Sequence, residues 1–93
     1  MGVLDLGMRA ESIRILTSAQ LRAARAMIQL TQEDLASRSG VPRSAIAEFE
    51  TDIRNPRGTT LGKLRAALED SGVVFIDGRG VSGVGLRPPS ASD

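Results

Sequence analysis

The stretch LASRSGVPRSAI, Leu35 to Ile46, places Gly40 between two segments that both read as short helices. A glycine there can simply stop a helix, or it can hold a sharp corner between two helices packed at a steep angle. Its neighbours separate the two. Upstream, Thr31 carries a cap-forming hydroxyl and Asp34 follows three residues later, a capping box with aspartate in place of glutamate. Glu33 and Asp34 then lie at the positive end of that helix's dipole. Downstream, Pro42 suits the first turn of the next helix, about Pro42 to Glu50, where its missing N–H has no partner to lose. Ala36 is small where the second helix must cross, and Gly40 can take a positive φ that a side chain makes costly. Leu35, Val41, Ile46 and Phe49 fill the wedge between the helices.

Working outward, LTSAQLRAARAMIQL reads as a helix capped by Thr17 or Ser18, with Leu21, Ala24 and Ile28 recurring on one face. TDIRNPRGTT is a loop, and Thr59 or Thr60 caps a fourth helix that carries Leu61, Leu64 and Leu68 and ends near Gly72. The pattern then changes. VVFI is β-branched and aromatic, DGRG is a turn signal, and VSGVGLR supplies a second short strand. We expect an N-terminal arm over 1–16 with no clean period, a helical domain over 17–72, a β element over 73–87 and a disordered tail over 88–93. The fold class is an all-α core of four to five short helices with a C-terminal β-hairpin, or with strands paired between two copies.

Composition removes several function classes. The 93 residues make one domain, and its only aromatics are Phe49 and Phe75, too few for a base-stacking platform on single strands. Without cysteine or histidine there are no disulfides, zinc fingers, thiolate nucleophiles or imidazole bases, so neither an enzyme nor a bound metal or cofactor is expected. No apolar run reaches membrane length, and MGVLDLGMRAE lacks the pattern of a signal peptide, so the expected location is cytoplasmic. The net charge is only +1, yet every cation except Lys63 is arginine, whose planar fork suits phosphates and guanine edges. A GC-rich genome would favour arginine as well.

LTQEDLASRSGV and SAIAEFE together resemble the helix-turn-helix of the phage-repressor family (Cro and lambda-repressor-like, XRE-type), over about Leu21 to Leu68. Ser39 departs from the pattern, since an apolar residue is usual there, and is expected to loosen the packing slightly. The resemblance implies a lambda-repressor-like fold and a small homodimeric transcriptional regulator of bacterial or phage origin. It would bind double-stranded DNA at a palindromic operator, with helix 42–50 in the major groove. The positions it implies for base reading are Arg43, Ser44, Ala47 and Glu48. Arg43 can give two hydrogen bonds to a guanine, the alternatives being a phosphate contact or plain solvation, and Glu48 can accept from a cytosine amino group or repel phosphates. Thr31, Gln32, Arg54, Asn55 and Arg57 match positions that hold the sugar-phosphate strand. Arg25 and Glu50 match a pair that forms an ion bridge in several members, the alternative being two solvated charges.

The local charge balance opposes DNA binding. From Thr31 to Arg57, five acids (Glu33, Asp34, Glu48, Glu50, Asp52) face four arginines (Arg38, Arg43, Arg54, Arg57). Modest affinity per monomer makes dimerisation economical, through either the β element or the apolar N-terminal arm. The rival reading is an antitoxin-like or co-regulator module that binds a protein partner, such as a toxin, on the same fold.

Overall fold

A computed structural model of the chain describes residues 15–78 and 80–88. Among these residues there are four helices, α1 (Ser18–Ile28), α2 (Gln32–Ser39), α3 (Arg43–Glu50) and α4 (Gly58–Asp70). Two strands follow, β1 (Val73–Gly78) and β2 (Val81–Leu86). Most of the N-terminal arm and of the tail beyond residue 87 lies outside the described residues; at its inner end Leu16 is buried in the core.

The first two helices start with reciprocal caps. Thr17 accepts from the Gln20 N–H at 3.0 Å while the Gln20 side chain accepts from the Thr17 N–H, and Thr31 and Asp34 repeat the arrangement for α2. Each box satisfies two amide groups that a helix start would otherwise leave without partners. α2 ends on Gly40 at φ +77°, and a Cβ there would meet nothing within 4 Å. Only the left-handed backbone therefore demands glycine. Gly40→Ala is expected to cost about 1–2 kcal/mol in a urea melt, with no change in the spectrum of the folded state. Ser39 has a role that its departure from the family pattern did not announce. Its hydroxyl accepts from the Val41 N–H at 3.1 Å, a bond across the corner.

Three boundaries differ from the sequence reading. α3 begins at Arg43, with Pro42 as its cap residue. α4 begins at Gly58 with Arg57 in the capping position, so Thr59 and Thr60 lie inside the first turn instead of capping it. The earlier start lets the Leu61 N–H reach the Arg57 carbonyl at 3.0 Å while Leu61 is fully buried. Asp77 and Gly78 pair with Ser82 and Val81, so the turn is narrower than DGRG.

The core joins five of the six elements: Leu21 and Ala24 from α1, Leu35 from α2, Ile46 and Phe49 from α3, Leu61, Leu64 and Leu68 from α4, and Val73 and Phe75 from β1, with Val84 of β2 half-buried against it. The strands form an antiparallel hairpin within the chain, with β2 against α1 and β1 against α4. Arg65 fastens the hairpin to α4. Its guanidinium lies 4.7 Å from the centre of the Phe75 ring, pairs with Glu69 and Asp77, and donates to the Ile15 carbonyl. No helix among the described residues is long and apolar enough to cross a membrane.

Candidate nucleic-acid interface

α3 buries Ile46 and Phe49 on one side. Helical spacing puts Arg43, Ser44, Ala47 and Glu48 on another, with Arg43 and Ser44 exposed and Ala47 and Glu48 half-buried. The N-terminus of α2, with Thr31 exposed and Gln32 half-buried, adjoins the first turn of α3, because Arg43 donates to the side-chain amide oxygen Oε1 of Gln32 at 3.1 Å. Arg54, Asn55 and Arg57 follow α3 on the exposed loop before α4.

Glu50 is the buried charge beneath this surface. Arg25 of α1 grips its carboxylate with two hydrogen bonds, Nε to Oε2 at 2.5 Å and Nη2 to Oε1 at 2.8 Å. The same guanidinium donates to the Leu30 carbonyl, and Arg22 donates to the Glu50 carbonyl. Three elements are thereby tied at one point: α1, the α1–α2 loop and the end of α3. Burial alone pushes the Glu50 carboxyl up, but the hydrogen bonds from Arg25 and Gln32 and the charges of Arg25 and Arg22 outweigh it and hold the pKa below its ordinary value. The hydrogen bond to Glu50 likewise raises the Arg25 pKa, against the opposing effect of burial.

Gln32 extends the lock to the surface. Its side-chain amide nitrogen donates to Glu50 Oε1 at 2.9 Å, and its side-chain amide oxygen receives Arg43. A buried carboxylate thus reaches the first residue of α3 through one side chain. Sequence reasoning assigned Gln32 a phosphate contact and did not see this link, because it depends on how closely α2 approaches the end of α3.

The exposed arginines are partly occupied. Arg43 lies 3.7 Å from Glu33, and Arg54 lies 3.3 Å from Glu48. The Arg57 side chain has no hydrogen-bond or ion-pair partner among the described residues. Nor does any group of acidic residues among them have the arrangement to hold a metal ion.

Two short helices meeting at a left-handed glycine, with the second helix presenting a polar face beside the start of the first, define a helix-turn-helix protein. A helix-turn-helix family model matches residues 21–69, and the chain belongs to this family, the phage-repressor (XRE, Cro and lambda-repressor) type of DNA-binding transcriptional regulator. None of the curated proteins compared matches the chain.

Proposed function

We propose that the chain is a homodimeric, sequence-specific regulator that sets α3 in the major groove of a palindromic operator. The observation that carries this reading is the placement of Arg43. It sits exposed on the first turn of α3 and is held through Gln32 to the buried Glu50. A side chain aimed before binding loses less freedom on contact, which favours base reading over a loose phosphate contact. Ser44 and Ala47 complete the reading face, and Glu48 lies beside them on the same side of α3, paired with Arg54 at 3.3 Å. Thr31, Gln32, Arg54, Asn55 and Arg57 hold the backbone on either side, and such contacts position without specifying. The Thr31 hydroxyl still has a proton to donate while it caps α2.

Selection from random duplex DNA, followed by titration at two salt concentrations, tests the proposal. An enriched palindrome with steep salt dependence is the expected result. Weak binding without enrichment would overturn it. The ion pairs Glu33–Arg43 and Glu48–Arg54 favour a second reading, a module that binds a protein partner such as a toxin, because they neutralise the surface that DNA would need. That reading predicts no enrichment.

Glu48→Gln separates the two further. An exposed pair of this kind contributes at most about 1 kcal/mol to folding, so stability should barely change. Affinity for the selected duplex should rise several-fold, with a steeper salt dependence, as Arg54 is released and a carboxylate leaves the groove. An unchanged or weaker complex would place Glu48 as an acceptor for a base.

A further inference from the structure

The hairpin carries an apolar face that no other part of the described chain covers. Val73 and Phe75 of β1 are buried against the helices, so the alternate positions face outward. In the strand register these form three rows: Val74 opposite Gly85, Ile76 opposite Gly83, and Gly78 opposite Val81. Ile76 is 51% exposed and Val81 64% exposed, and none of the six positions carries a charged or polar side chain. The three glycines are not required by the single chain. None of them has a positive φ, and a Cβ at Gly78 or Gly83 would meet nothing within 4 Å. Glycine weakens a strand and often marks the close approach of another backbone.

We propose that this face is a homodimer contact, in which a second copy of the chain stacks its own hairpin on it. The register supplies the argument. Ile76 on β1 stands beside Gly83 on β2, and in the next row Val81 on β2 stands beside Gly78 on β1. Consider a two-fold axis running along the hairpin midway between its strands, in the plane between the stacked sheets. It lays β1 of one copy over β2 of the other without shifting the rows. Ile76 then enters the space over the partner's Gly83, and Val81 the space over the partner's Gly78. The symmetry repeats both contacts in reverse, so the face is self-complementary, as a closed two-fold contact requires. An uncharged face gives nothing for nucleic acid to grip.

The contact is small. Six residues of two strands present about 200 Å² per copy, against about 800 Å² per partner in a standard interface. The dimer should therefore be weak and transient in solution, populated only at high protein concentration. Two adjacent half-sites would consolidate it by raising the effective concentration. This inference rests on the dimeric reading proposed above and assigns it a surface.

Two substitutions in the full-length chain test it, with sedimentation velocity over a concentration series and a thermal melt for each protein. Gly83→Val fills the receiving space with a better strand former, so the melting temperature should hold or rise while the dimer dissociation constant increases at least about tenfold. Ile76→Thr keeps the β-branch and removes the apolar tip, and should weaken the dimer in the same direction. A wild-type chain that stays monomeric at about 1 mM, where even an association worth only about 4 kcal/mol would show, overturns the proposal. So does a dimer whose association neither substitution alters. Binding to a single half-site and to a full palindrome then tells the two failures apart. Cooperative palindrome binding by both variants leaves the dimeric regulator standing with another contact, whereas equal affinity for the half-site and palindrome removes the dimer as well.

Discussion

Arg25→Ala is expected to cost the fold about 3–5 kcal/mol, the penalty for leaving a buried charge without its partner. The Glu50 side chain is 5% exposed and Arg25 supplies two of the three hydrogen bonds to its carboxylate, so little water can replace what is lost. A domain of this size is stable by only about 5–15 kcal/mol, and the variant should show a large drop in its urea midpoint. The pH dependence gives the prediction a sign. In the wild type the Glu50 pKa lies below its ordinary value near 4.5, so its contribution is complete above that value and is lost as pH falls through the folded pKa. In Arg25→Ala, burial has lost its main opponent and pushes the carboxyl up, so acid relieves the variant by neutralising the stranded charge. The stability gap between the two proteins should narrow from pH 7 towards pH 4. A gap independent of pH would mean that Arg25 acts through packing alone. Replacing both residues, as in Arg25→Met with Glu50→Leu, should recover much of the loss, because neither charge is then left behind.

The second large effect concerns DNA. Arg43→Ala should lose about 1–3 kcal/mol in each half-site, and a dimer feels it twice, a combined loss of more than about 30-fold. The loss should fall on one base position in each half-site, where the preference relaxes. Arg57→Ala should weaken all sequences alike and lower the salt slope by about one unit per half-site. Competition binding against a panel of single-base operator variants at two salt concentrations reads both quantities. If Arg43→Ala weakens every sequence equally, Arg43 is a backbone contact and the division between reading and anchoring residues fails.

The helix-turn-helix itself was legible because its signals are local. Thr31 with Asp34 and the left-handed Gly40 each mark a helix boundary within a few residues, and the β-branched run after Gly72 marks the change to strand. What escaped depends on residues brought together from afar. Gln32 meets Glu50 across 18 positions and Arg43 across 11, and neither contact has a periodicity to reveal it. The start of α4 escaped for another reason. Two threonines in sequence look like caps, but Gly58 and the Arg57 carbonyl allow the helix to begin ahead of them. The bond from the Val41 N–H to the Ser39 hydroxyl escaped as well, because it depends on how the turn folds back. The assignment of individual residues to bases or phosphates was not legible at all, because both uses call for the same exposed arginines.

The ion pairs Glu33–Arg43 and Glu48–Arg54 have a consequence for how such a protein would search a genome. A free arginine meeting an arbitrary phosphate displaces only mobile ions, which gain entropy on release. Here each arginine must first exchange a tethered carboxylate that gains no such freedom. Random duplex would hold the protein poorly, and only a site whose base edges add their own bonds would repay the exchange. On the regulator reading proposed above, the pairs would act as resident counterions: they would lower the affinity for every sequence, shorten the stay on wrong ones, and so leave more of the protein free to find the right one.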